Sequence, residues 1–171
     1  VDTFHPFGGE RRLAHWKSSD SHTGWTCPDE IKTSLGESEN IRMVLATPAI
    51  FSGGWIPGWL EEKNGHLVGS PPGKSDGLVL RLVSACVDRW KPLSGWSLET
   101  RGPKAIRRVV PAGSVYFFER LKGSAADVAE TCWLQSVSDD PQDRLDGFGL
   151  AIWGSWSNGE KGSIKDERME E

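Results

Sequence analysis

Residues 52–76 carry nine glycines and prolines: Gly53, Gly54, Pro57, Gly58, Gly65, Gly69, Pro71, Pro72 and Gly73. A helix interior loses about 1 kcal/mol per glycine and about 3 per proline relative to alanine, so no long helix spans this segment. The only helical piece it admits is a short turn over 55–62. Two apolar runs that read as strands enclose it. Residues 41–46 are rich in Ile, Val and Leu and stop before Pro48, while 78–87 are almost continuously apolar, the pattern of a central strand covered on at least one face. A long connection inside one compact unit is usually functional.

Downstream, 106–110 and 115–119 flank Pro111-Ala112-Gly113-Ser114, which predicts a hairpin or a bent strand. Ser124-Ala-Ala-Asp127 has the form of a capping box, and Val128, Leu134 and Val137 follow at near-helical spacing, which predicts the one clear helix. An Asp-rich loop then leads to a short apolar strand at 148–153. Residues 1–40 read as an irregular connecting segment, 41–156 as the folded domain and 157–171 as a disordered acidic tail. The order strand, irregular segment, strand, strand pair, helix, strand predicts an α+β chain of the split β-α-β-β-α-β, or ferredoxin-like (RRM-like), kind, in which residues 52–76 replace the first helix.

At 171 residues the chain is long enough for roughly one domain. No window approaches the roughly 18 uninterrupted apolar residues of a membrane span. Three widely spaced cysteines (Cys27, Cys86, Cys132) make no disulfide framework, which fits a reducing, cytoplasmic setting. The start, Val-Asp-Thr-Phe-His-Pro, reads as a piece of something longer. Nine Trp accompany a single Tyr, an excess that asks for a role.

A net charge of −4 excludes the uniformly basic surface of a free-standing nucleic-acid binder, yet the average hides a division. Residues 89–108 hold six basic side chains (Arg89, Lys91, Arg101, Lys104, Arg107, Arg108) against Glu99, giving +5 and leaving −9 for the remainder. Such a segment is either a solvated basic loop or an anion site. His5, His15, His22 and Cys27 are suitable zinc ligands by type, but their spacing matches no compact zinc pattern. Asp139, Asp140, Asp143 and Asp146 match no calcium loop and read as a solvated turn. No catalytic residue, metal or cofactor is assigned.

Several segments together resemble a known family. Phe7-Gly-Gly-Glu10-Arg11-Arg12-Leu-Ala-His-Trp16, Ala46-Thr-Pro-Ala49, Pro92-Leu-Ser-Gly95-Trp96, Gly102-Pro-Lys104-Ala-Ile-Arg107-Arg108, Val110-Pro-Ala-Gly-Ser-Val-Tyr-Phe-Phe-Glu119 and Gly147-Phe-Gly149 are similar to the central and C-terminal portion of the third subunit of the type III-B CRISPR Cmr effector complex, a RAMP-superfamily protein. The resemblance implies tandem ferredoxin-like domains, of which the first is expected to be missing here. It also implies a non-catalytic subunit that binds the 5′ tag of CRISPR RNA, docks on the large polymerase-like subunit and adjoins neighbouring RAMP subunits.

On that footing Arg101, Lys104, Arg107 and Arg108 are expected to meet phosphates, with Gly95, Gly102 and Pro103 shaping their RNA-binding loop and Gly147 and Gly149 forming a glycine-rich loop near the RNA. Trp96, Trp55 and Trp59 are candidates for base stacking or for protein contact, Trp96 on the RNA-binding loop and Trp55 and Trp59 with Arg11 and Arg12 on the partner side, while Trp133 and Trp153 read as core. Two other classes remain open. One is a RAMP-fold endoribonuclease processing CRISPR RNA with His15 or His5 as base; the other is a scaffold that meets only protein.

Overall fold

The computed structural model describes residues 2–7, 10, 12–18, 26–72 and 77–157. In chain order the elements are β1 (Asp2–Pro6), β2 (Leu13–Lys17), α1 (Asp29–Gly36), β3 (Asn40–Leu45), β4 (Leu60–Lys63), β5 (His66–Gly69), β6 (Val79–Cys86), β7 (Lys91–Leu93), β8 (Trp96–Ser97), β9 (Gly102–Pro103), β10 (Arg107–Val109), β11 (Val115–Lys122), α2 (Ala125–Asp127), α3 (Pro141–Leu145) and β12 (Ala151–Ser155). Helices and antiparallel sheets are both present, with strands in the majority.

Six strands make one antiparallel sheet in the order β12-β3-β11-β6-β5-β4. Period-two alternation assigns its faces: Ile41, Met43 and Leu45 of β3, Tyr116 and Phe118 of β11, and Ala151 and Trp153 of β12 are buried, whereas Arg42 and Phe117 point the other way. The buried face is covered by Leu35 of α1, by Ala125 of α2 and by Val128, Ala129 and Cys132 of the wide π-turn that continues α2. A leucine taken fully out of water, as Leu35 is, contributes about 1.5–3 kcal/mol. Phe118 stacks obliquely with Trp59 and Trp153 (centroids 5.6 and 6.3 Å), so both tryptophans belong to this interior.

Residues 41–46 and 78–87 are strands as expected, and Leu78 and Leu80 lie fully buried. Other expectations change. Residues 60–69 are a β-hairpin rather than a helical turn. Asn64-Gly65 supplies two consecutive positive φ angles (54° and 76°), which a tight primed turn demands, and the hairpin extends the sheet past β6. The 106–119 stretch is bent, not folded back: β10 pairs with β7 while β11 pairs with β3 and β6, because Val110 is fastened to Ala49 by reciprocal backbone bonds of 2.8 and 2.9 Å. The capping Ser124 accepts from the Ala126 N–H, but the helix stops at Cys132, since Trp133 is extended and Leu134 takes a φ of 53°.

The closing strand is shifted to Ala151–Ser155 because Gly149 and Leu150 are engaged with Pro48 and with Thr47 and Ser136. Residues 1–40, expected to be irregular, contain the β1–β2 hairpin and α1, and Cys27 and Leu35 join the one core. Residues 73–76 of the insertion and the tail from 158 onward lie outside the described residues.

Candidate nucleic-acid interface

The basic segment folds into a β-arm. β7 pairs with β10 (Arg107↔Leu93, Arg108↔Pro92, Val109↔Lys91), and further out β8 pairs with β9 (Trp96↔Pro103, Ser97↔Gly102). Between the two ladders the Lys104 N–H donates to the Gly95 carbonyl at 2.7 Å and the Ser94 hydroxyl to the Lys104 carbonyl at 2.9 Å. At the tip, Arg101 holds a left-handed φ of 49°. Arg101, Lys104 and Trp96 are exposed, the last at 61%. Exposed Leu98 and Ile106 alternate with these charges.

Alternation along β10 sends its two arginines to opposite faces. Arg107 shares a face with buried Val109 and turns toward the body, where its guanidinium makes two parallel bonds of 2.5 Å to the carboxylate of Asp143. Asp143 is 1% exposed. The pairing, with Asp140 and Asp146 nearby, pushes Arg107 above the usual arginine range despite partial burial. Arg108 turns the other way and lies over the ring of Trp90, 4.7 Å from its centroid, a cation–π geometry.

Arg108 and Trp90 line a cavity of about 430 Å³. Ala85, Val87, Val109 and Val110 form its apolar floor, Trp55 and Trp90 its aromatic walls, and Asp88, Arg89 and Arg108 its polar rim. Trp55 is placed there by the core, since the buried Tyr116 hydroxyl donates to the Trp55 carbonyl at 2.7 Å. Burial pushes the Tyr116 phenol well above its ordinary pKa. A planar ring between walls of this kind would find stacking surface and cationic charge together.

The other expected site residues are distributed differently. Gly147 ends α3: its N–H donates to the Arg144 carbonyl and the Phe148 N–H to the Asp143 carbonyl, with Gly147 at φ 84°, a Schellman cap. Gly149 is buried, and a Cβ there would sit 2.5 Å from the Ser138 hydroxyl. Both glycines therefore have reasons within the fold. Trp59 is half-buried against Phe118, and its indole Nε1 is buried without a hydrogen-bond partner. Trp55 is 45% exposed at the cavity. Arg12 pairs at 2.8 Å with Glu10 beside the β1–β2 hairpin, and Arg11 lies outside the described residues.

His15 pairs with Asp2 and stacks on Phe4, while His5 lies opposite Ala14 on the other face of the hairpin; His22 lies outside the described residues. The Asp-rich loop, expected to be solvated, is structural in large part. Asp139 accepts from the Ser52 and Gly58 N–H groups, Asp140 caps α3 through the Gln142 N–H, and Asp143 holds Arg107. Trp90 and Asp143 are the residues that sequence reasoning missed. The interleaving Arg89-Trp90-Lys91 is a signal that could have marked the first; the second has none, because its partner lies 36 residues away.

A partly basic, aromatic β-arm thus stands beside an apolar cavity. The chain matches the CRISPR-associated protein (Cas_Cmr3) family over residues 2–156. It belongs to that family, the Cmr3 subunits of the type III-B CRISPR complex. A search of curated proteins found no match. No helix among the described residues is long and apolar enough to cross a membrane.

Proposed function

We propose that this chain is a non-catalytic Cmr subunit that holds the 5′ tag of CRISPR RNA on its β7–β10 arm and docks on the large polymerase-like subunit. The observation that carries this reading is the arm itself. It carries six basic side chains against one acid, exposes Trp96, and sets Arg108 on Trp90 at the mouth of a cavity with two aromatic walls. Arg101, Lys104, Arg108, Arg89 and Lys91 act on phosphates, and Trp90 and Trp55 offer stacking surface to an unpaired base, an interaction of about 1–3 kcal/mol. Family membership supplies the assembly.

The four long strands β3, β6, β11 and β12 stand in the order fourth, first, third, second, all antiparallel, and helical segments lie in the second crossover. We read this as a ferredoxin-like RAMP domain whose first crossover has become the β4–β5 hairpin. The apolar β1–β2 hairpin, with Phe4, Phe7, Leu13 and Trp16 exposed, favours protein docking as an additional task of the same subunit.

The test is the salt dependence of tag-RNA binding by the assembled complex, comparing wild type with Arg101→Ala/Lys104→Ala. Removing one cation that neutralises a phosphate of a single strand lowers the slope of log K against log salt by about 0.7. Weaker binding with a slope reduced by one or two such steps is expected. An unchanged affinity and slope would leave the arm to protein contacts and favour the scaffold.

A further inference from the structure

We infer that Arg107 is a positioning residue, not a phosphate ligand: its bidentate pair with Asp143 latches the basic arm to the body and sets the geometry of the RNA face. This rests on the arm being the RNA-binding element. Three observations carry it. Both outer nitrogens of the guanidinium donate to one carboxylate, at 2.5 Å each, and that carboxylate is fully buried. Asp140 and Asp146 stand close by, so a phosphate approaching Arg107 would meet three carboxylates. Finally, Asp143 is fixed from behind: α3 is capped by Asp140, Arg144 donates to the Ser138 and Asp139 carbonyls at 2.6 and 2.9 Å, and Asp139 and Ser138 are bonded to Ile50.

The result is a closed ring. It runs from β10 through Val110 to Ala49 and Ile50, across to Ser138 and Asp139, along α3 to Asp143 and back to Arg107. The Asp143 carbonyl also accepts the Phe148 N–H, so the Gly147–Gly149 loop and the arm are anchored on one residue. The bond between Ala49 and Val110 and the latch are the two fastenings of the arm's foot. With the latch released, the arm is held by its backbone bridge and would swing about it, carrying Arg101, Lys104 and Trp96 away from a fixed relation to the Trp90 cavity.

The two roles of Arg107 make opposite predictions for Asp143→Asn in the full chain, titrated with a short fluorescein-labelled single-stranded RNA of mixed sequence. If Arg107 served phosphate in competition with Asp143, the variant would bind more tightly, because a guanidinium is released and a repelling charge removed. A latch predicts a loss of about tenfold, the size of one charge-assisted contact, with faster hydrogen exchange at the Ala49 and Val110 amides.

A second variant guards against loss of folding. Arg107→Met with Asp143→Leu replaces the half-buried pair by apolar groups, an exchange that buried ion pairs often tolerate. It should keep those two amides protected and hold RNA affinity within about twofold of wild type, less than one hydrogen bond's worth, whereas loss of a true phosphate ligand would weaken binding. Tighter binding by Asp143→Asn, unchanged exchange at Ala49 and Val110, or weak binding by the apolar pair with its foot still protected would each overturn the latch. Unchanged tag-RNA affinity and salt slope in the assembled complex for Arg101→Ala/Lys104→Ala, while Asp143→Asn still loosens the foot, would instead sink the RNA reading and leave the mechanical latch standing.

Discussion

Tyr116 shows how one buried side chain prepares a surface feature. It is the chain's only tyrosine, it is fully buried beside Phe118 and Phe51, and its hydroxyl reaches the Trp55 carbonyl. Because the phenol's pKa is raised in the folded state, the unfolded chain gives up this proton first. Above about pH 10 the unfolded state binds fewer protons than the native one, so stability falls as pH rises toward the folded value. Urea unfolding across this range should show an alkaline loss in wild type that is reduced in Tyr116→Phe. At neutral pH the same variant should lose about 0.5–1.5 kcal/mol for the missing hydrogen bond. A phenolate absorbance that rises at the ordinary tyrosine pKa in the folded chain would contradict the buried placement. Residue types at such positions were partly legible in advance: the apolar flanks of Tyr116 marked it as strand, but nothing in the sequence said that its hydroxyl would orient a tryptophan 61 positions away.

Elements differ in how locally they are encoded. The β4–β5 hairpin is local, since Asn64-Gly65 dictates a primed turn whatever surrounds it; counting glycines and prolines across 52–76 excluded a helix but overlooked this dipeptide. Gly65→Ala puts a Cβ into a left-handed position at a cost of about 1–2 kcal/mol. The urea midpoint should drop accordingly, while the RNA binding proposed for the β7–β10 arm, which follows the end of β6 remote from the β5 pairing, should not change. A loss of RNA affinity equal to that of an arm variant would show that the edge hairpin takes part in binding. The arm is local only in its outer part. Its inner pairing, β10 with β7 instead of β11, depends on Val110 meeting Ala49 and Arg107 meeting Asp143. Helix prediction failed in the same way beyond Cys132: the spacing of Val128, Leu134 and Val137 looked helical, but Trp133 and Leu134 break the turn so that the chain can return to β12.

Across the molecule, the net positive charge of residues 89–108 (+5 against −9 elsewhere) lies on the arm, together with exposed Trp96, Leu98 and Ile106, and the β1–β2 hairpin exposes a second apolar set on both faces: Phe4 with Leu13 on one, Phe7 with Trp16 on the other. An isolated two-stranded hairpin is marginally stable in water, and β1 and β2 pack chiefly on each other. Deleting residues 1–17 should therefore shift the unfolding free energy of the body by no more than about 0.5 kcal/mol while weakening association with the other complex subunits. A large destabilisation on calorimetry would mean that the hairpin belongs to the body's own fold.

Period-two burial and turn chemistry act within a few residues, so the strands β3, β6 and β11, the exclusion of a helix from 52–76, and the division of charge into a basic segment and an acidic rest all follow from the order of residues alone. Family-like segments between Phe7 and Gly149 were legible for the same reason: they are contiguous strings. Which partner each of two adjacent arginines meets was settled only by packing. Arg107 and Arg108 are identical in type and neighbours in sequence, but strand alternation sends one to a buried carboxylate on α3 and the other to Trp90. Gly147 likewise serves as a helix cap and Gly149 allows a close approach to Ser138. Arg107 meets Asp143 36 residues on, and Ile50 meets Ser138 88 residues on, because proximity of this kind is a property of the packed chain and not of any segment of it.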